Sequence, residues 1–415
     1  MSVGVWAVRG NLVLPGQEGV TPGVVVVEGE RIVWAGENSA MVPDAVRGAA
    51  AGARPWDGYI LPGLVDLHCH GGGGQSFPDA ATPADALAAI MEHRRHGTTS
   101  LVASLVTDTP DVLLRQTGLL AKLAAAGELA GIHLEGPFLS PARCGAQDPT
   151  KMQAPSADLV RQVAQAGQGH FATMTLAPEV LGGAGAPPAG DEPVTQALAQ
   201  VGAVPSFGHT DGSAGQMAWA CAAARDALGR AARDGRARSL RPTVTHLFNG
   251  MRPVHHRDPG PVLEALAQAA DGLVVVELIA DGVHLDPDTV SEVFRLAAPG
   301  AVALVTDAMA AAGMADGSYQ LGPMAVTVAG GVARLAGGNS IAGGTAHLID
   351  VVRSALELAG VPLAQAVQAA SLTPAQVLGI DAQVGSLAGG RRADLVLTDA
   401  GLHPVEVYRA GNLVT

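Results

Sequence analysis

The sequence predicts an α/β protein: a (β/α)8 TIM-type barrel with a small sheet domain formed by both chain termini. Two patterns predict it. Eight short apolar runs, each ending in a polar or Gly-rich loop, recur roughly every 30–40 residues, with Ala/Leu-rich helical stretches between them. The two ends of the chain show hairpin-like alternation instead. The length of 415 residues suits one large α/β domain with a smaller partner.

Residues 1–58 read as β, because GVVVVEGERIVWAGE holds two apolar runs joined by a polar turn at Gly29. From about residue 382 the tail reads likewise, as GSLAGGRRADLVLTDAG and then PVEVYRAGNLVT. Segments 1–58 and 382–415 are therefore expected to meet in one small domain, leaving 59–381 for the barrel. The expected barrel strands are 59–70, 98–106, 131–138, 173–178, 203–209, 243–249, 273–280 and 301–307. Helical stretches such as 84–96 and 111–126 lie between them. Near-continuous Val, Ile and Leu in the strands suits parallel strands buried on both faces. The Gly/Ala/Pro stretch 182–188 reads as a surface loop.

Composition excludes several classes. Hydrophobic residues make up 48% and charged residues 15%, enough for a large core and unlike a disordered chain. The net charge is −13 with no basic run, which argues against nucleic acid as a partner. That charge repels anions at long range, so any phosphate site must be local. Three cysteines, Cys69, Cys144 and Cys221, make a poor disulfide framework and fit a reducing cytoplasmic setting. The N-terminus lacks the order of a secretory signal, and apolar stretches are too interrupted to span a membrane.

Barrel chemistry sits where strands end, and that is where the ligand-type residues fall. The first run ends in Asp66-Leu67-His68-Cys69-His70. Residues at i and i+2 share a strand face, so His68 and His70 point together into the mouth while Cys69 faces away. The third run ends in His133-Leu134-Glu135; a carboxylate there needs a partner, which a metal supplies. His133 lies deeper and reads as a core or supporting histidine. His209 closes the fifth run and His246 the sixth. Together with Glu135 they form a carboxylate–imidazole set suited to Zn²⁺ or a similar ion. Asp307 closes the eighth run as the natural general base, taking a proton from the attacking water and passing it to the leaving nitrogen. His284, past the seventh run, is placed to contact substrate. The loop Met251-Arg252-Pro253-Val254-His255-His256-Arg257-Asp258 offers cations suited to a phosphate. Neither lysine, Lys122 or Lys151, follows a strand end, so a bridging lysine between two metals is not expected.

In order along the chain, PGLVDLHCHG, GIHLEGPFLSP, FGHTD, THLFNGM, HHRDPG, IADGVH and VTDAM resemble the signatures of the N-acetylglucosamine-6-phosphate deacetylase family within the amidohydrolase superfamily. The resemblance implies a barrel with a small β-sandwich domain formed by both chain termini, and a metal-dependent hydrolase that removes the acetamido group of N-acetylglucosamine 6-phosphate. It implies a principal metal on Glu135, His209 and His246, with His68, His70 and Glu135 able to hold a second. One or two divalent ions per subunit follow, zinc first, with iron, cobalt, manganese or cadmium as alternatives. It further implies Asp307 as the catalytic aspartate, and His284 with the Asn249–Gly250 backbone as sugar contacts. Arg257, beside His256, corresponds to a phosphate-binding arginine that reaches in from the partner subunit of a homodimer. One departure stands out. Relatives often carry Gly-x-His after HLEGPF, whereas this chain has Gly145-Ala146-Gln147; a Gln147 amide can donate a hydrogen bond but carries no charge. Two other readings stay open: another amidohydrolase acting on a different amide or cyclic amide, and a catalytically silent barrel used in assembly.

Overall fold

The computed structural model describes residues 4–17, 19–37, 42–181 and 192–415; the loop expected at 182–188 lies outside them. Eight parallel strands lie side by side in chain order: Leu64–Cys69, Thr98–Leu105, Gly131–Glu135, Phe171–Leu176, Val204–Phe207, Thr243–Val244, Val275–Leu278 and Val302–Leu304. The first and eighth meet through an isolated parallel bridge, Cys69 to Ala308. Two backbone hydrogen bonds reinforce that seam, from Asp307 N–H to the His68 carbonyl (2.9 Å) and from His70 N–H to the Ala308 carbonyl (2.7 Å). The ring of strands is thus the (β/α)8 barrel that the eight apolar runs predicted.

Several strands end before the predicted limits. The run expected at 59–70 divides at Gly63. Its first part, Arg54–Pro62, belongs to the terminal sheet, and Leu64–Cys69 opens the barrel. A Cβ at Gly63 would sit 2.2 Å from Thr99 Oγ1, so only glycine lets the chain cross between the two layers there. The runs expected to reach His209, Asn249 and Asp307 stop at Phe207, Val244 and Leu304. The reason is local: His209, His246 and Asp307 all have positive φ (45°, 26° and 47°), which takes them off the ladder. Non-glycine residues in this region cluster at functional sites, where surrounding structure holds them.

The terminal segments build one continuous seven-stranded sheet. Its order is Asn412–Leu413, Pro404–Arg409, Leu395–Thr398, Arg54–Pro62, Val5–Val13, Val20–Glu28 and Arg31–Gly36. Leu395–Thr398 pairs antiparallel with Arg54–Pro62, so the two ends of the chain interleave. Val8, Leu12, Val25, Val27, Ile32, Ile60, Leu395 and Leu397 form its shared apolar core. A three-stranded antiparallel insertion, Gly317–Leu321, Met324–Ala329 and Val332–Leu335, follows the eighth barrel strand and was not anticipated. Among the described residues no helix is long and apolar enough to cross a membrane.

Candidate active site

The strand ends converge on Glu135. Its Oε1 lies 2.9 Å from His209 Nε2, 2.8 Å from His246 Nε2 and 3.7 Å from His68 Nε2. Its Oε2 lies 3.2 Å from His70 Nε2 and accepts a hydrogen bond from the Gln147 amide. His68 and His70 bring their Nε2 atoms within 3.0 Å of each other, as the i, i+2 spacing predicts. Asp307 Oδ1 closes the group, 3.4 Å from His68 Nε2 and 3.3 Å from His70 Nε2. Glu135, His209 and His246 form one set of closely placed ligand atoms, and His68, His70 and Glu135 another. All five are buried.

Local structure sets each ring. His209 donates from Nδ1 to the Arg143 carbonyl at 2.8 Å. A Cβ on Gly250 or Gly145 would come within 2.8 Å or 3.0 Å of that imidazole, so both glycines make room for it. With its proton on Nδ1, a neutral His209 turns a lone pair towards Glu135 Oε1. A lone pair and a carboxylate oxygen 2.9 Å apart require positive charge between or beside them. A proton supplies it in the metal-free protein and a cation on loading, so the donor set fits a metal ion. Cys69 points outward, its Sγ 3.3 Å from His93 Nε2. His133 is satisfied on both nitrogens, by Ser104 Oγ at 2.9 Å and Thr175 Oγ1 at 2.8 Å, and so supports the core rather than ligating.

The charges are set by the cluster. Burial alone would push Glu135 up, but the His209 and His68 charges, with hydrogen bonds from His209 and His246, hold it well below the usual carboxylate range. Burial likewise opposes ionisation of Asp307, yet the His68 charge and the His70 hydrogen bond hold it at about 2. Burial would lower His68, His70 and His209; facing carboxylates overcome it and raise all three.

A cavity of about 280 Å³ opens above the cluster, and Gln147, Asn249, Gly250 and His284 line it beside the ligand set. His284 Nδ1 lies 2.8 Å from Asp281 Oδ2; burial lowers its pKa, and the Asp281 hydrogen bond and charge more than reverse this. Gln147 is oriented by accepting from Thr107 N–H at 2.7 Å. His256 and Arg257 lie elsewhere: both are exposed, bonded to each other at 2.7 Å, and neither lines this cavity. A cleft of about 320 Å³ near Gly16, Phe294 and Gln368 has no carboxylate or imidazole among the described residues of its walls.

Sequence reasoning missed three contributors. Glu277, within the apolar run of the seventh strand, lies 3.4 Å from His68 Nδ1 and orients that ring. Asp66 accepts from Thr306 Oγ1 at 2.6 Å and from His68 N–H at 3.2 Å, tying the first strand to the eighth. In both cases the available signal was a carboxylate inside an otherwise apolar strand. Leu321 of the unanticipated insertion, with Ser340 and Ile341 just after it, walls the cavity.

The amidohydrolase family pattern matches residues 59–414. The chain belongs to the amidohydrolase family. This amidohydrolase is 34% identical over 371 residues to an N-acetylglucosamine-6-phosphate deacetylase of Bos taurus, covering 87% of this chain and 85% of the relative. It is 34% identical over 361 residues to an N-acetylgalactosamine-6-phosphate deacetylase of Escherichia coli O157:H7, covering 86% and 88%. Among solved structures it superposes with a TM-score of 0.83 on an N-acetyl-D-glucosamine-6-phosphate deacetylase mutant from Mycobacterium smegmatis in complex with N-acetyl-D-glucosamine-6-phosphate. That match has 38% identity and covers 99% of both chains.

Proposed function

We propose that this amidohydrolase cleaves the acetamido group of N-acetyl-D-glucosamine 6-phosphate, releasing D-glucosamine 6-phosphate and acetate. One observation carries the reading: an ionised Asp307 faces the Glu135–imidazole cluster at the floor of a cavity large enough for a sugar. The likeness to deacetylases over nearly the whole chain supports the substrate class.

Glu135, His209 and His246 would hold one divalent ion, zinc first, and His68, His70 and Glu135 a second. Such an ion supplies Lewis acidity and lowers the pKa of an attacking water towards ~7. The chain's own residues do the rest. Asp307 accepts the proton of the water whose oxygen bonds to the acetyl carbon. It returns that proton to the amine nitrogen as the C–N bond breaks. His284, held by Asp281, and the Asn249–Gly250 segment position the sugar. Gln147 steadies Glu135 and borders the acetyl side.

Among the described residues no Arg or Lys lines the cavity, so the phosphate is met from outside it in this reading. Arg257 and His256 serve the site of a neighbouring subunit in a homodimer. A charged hydrogen bond of about 1.5–3 kcal/mol makes Arg257→Ala raise KM roughly ten- to hundredfold, with kcat changed much less. Mixing Arg257→Ala chains with Asp307→Asn chains should restore turnover, because one site per mixed dimer is then whole. Failure of that complementation places the arginine's role within its own subunit.

The E. coli relative favours a second reading, N-acetyl-D-galactosamine 6-phosphate, which differs only in the configuration at C4. Acetate release from both sugar phosphates, with and without a chelator, tests the function. Faster release from the glucosamine substrate, lost on chelation, is expected. Release unaffected by chelation contradicts the metal assignment, and release from neither sugar contradicts the substrate class.

A further inference from the structure

A second group of ligand-type side chains lies outside the barrel mouth. Helix Pro83–Arg95 follows the first barrel strand, and helix Leu348–Glu357 precedes the chain's return to the terminal sheet. Glu92 sits on the former helix, His96 is its C-cap, and His347 is the N-cap of the latter. Glu92 Oε1 lies 2.9 Å from His347 Nε2 and 3.4 Å from His96 Nδ1. One ligand atom from each of the three falls within 4.8 Å of the others. None of them lines the catalytic cavity.

Three features point to a cation. Glu92 and His96 are four residues apart, so both project from one face of the helix end. His347 Nδ1 lies 3.3 Å from Asp350 Oδ2, which also accepts the His347 backbone N–H at 3.0 Å. In the metal-free protein a proton on Nε2 satisfies Glu92; with a cation in its place, Nδ1 would donate to Asp350, the outer-carboxylate arrangement that orients metal-binding imidazoles. Beside it, His93 is fully buried and its Nδ1 has no hydrogen-bond partner among the described residues. Its ring meets His347 edge-on, with centroids 5.5 Å apart. Room for the carboxylate depends on Gly313, where a Cβ would come within 2.1 Å of Glu92 Oε1.

We propose that Glu92, His96 and His347 bind a zinc-class divalent ion that clamps the closing seam of the barrel from outside. The two helices flank that seam, where the adjoining loops are joined by hydrogen bonds from Gly73 N–H to the Ala312 carbonyl and from Gly74 N–H to the Ala310 carbonyl, both 2.8 Å. A carboxylate and two imidazoles suit zinc, with water completing the shell. The His96 and His347 rings now stack at 3.6 Å with an 11° tilt. His96 Nδ1 donates to the Glu92 backbone carbonyl at 2.8 Å, so on loading the His96 ring, 39% exposed, must turn out of the stack to aim an unprotonated nitrogen at the ion.

Elemental analysis after zinc dialysis tests this. Wild-type protein should hold one more zinc per subunit than His96→Ala and His347→Leu variants, while kcat/KM stays within about twofold because the sites are separate. Equal zinc content in all three proteins overturns the proposal. Anomalous diffraction from zinc-soaked wild-type crystals needs no substitution: a peak among Glu92, His96 and His347 is expected, and none there overturns it.

Discussion

Asp307→Asn is expected to leave a folded, metal-loaded protein that has lost turnover by about 10²–10⁴-fold, the range a positioned acid–base group contributes. The amide keeps the shape of the carboxylate and one oxygen within reach of His68 and His70, so the cluster should stay assembled. What it loses is basicity. Asp307 is ionised across the working range, held at about 2 by the His68 charge and the His70 hydrogen bond against the opposing effect of burial. It can therefore accept a proton, and asparagine cannot. Glu135, His209 and His246 are untouched, so elemental analysis should still find at least one ion per subunit. Turnover within tenfold of wild type would assign the base elsewhere.

Glu135→Gln is expected to abolish both metal retention and activity. Its two oxygens face His209, His246, His68 and His70, so one carboxylate serves both candidate ion sites. Removing one partner of a buried charge pair costs about 3–5 kcal/mol, which corresponds to a loss of at least about a hundredfold. Glu135→Asp should recover part of the metal content, since the charge returns on a shorter arm. The pH dependence has a definite sign. Facing carboxylates raise His68, His70 and His209, so in the metal-free protein these rings keep protons to higher pH than a free imidazole. Metal must displace those protons, so occupancy falls as pH drops through that raised range. Wild-type metal content and activity in Glu135→Gln would remove this carboxylate from the centre.

Much of this was legible because chemistry and strand ends coincide in a barrel. His68 and His70 were readable from the i, i+2 rule, and Glu135, His209, His246 and Asp307 from where apolar runs stop. Reading failed where tertiary contact decides. Gly63 divides an apparently continuous strand because Thr99 leaves no space for a side chain. Glu277 is unremarkable until the fold places it beside His68. The insertion did carry a signal, since Gly330 and Gly331 separate two alternating runs, but it lies between residues 307 and 382, where no strand is expected. The cations of the 251–258 loop were readable as suited to a phosphate, but only the resemblance singles out Arg257 and a partner subunit, because the fold of one chain leaves it outside the cavity.

The bond between Asp66 and Thr306 spans 240 positions of sequence, and it joins the strand carrying His68 and His70 to the one leading to Asp307. Pairings so distant along a chain close slowly. During vectorial synthesis the emerging polypeptide holds its first two histidines long before the aspartate that faces them exists. The reactive centre therefore cannot assemble until the eighth strand has been made, and a chain truncated before it lacks the aspartate that faces His68 and His70.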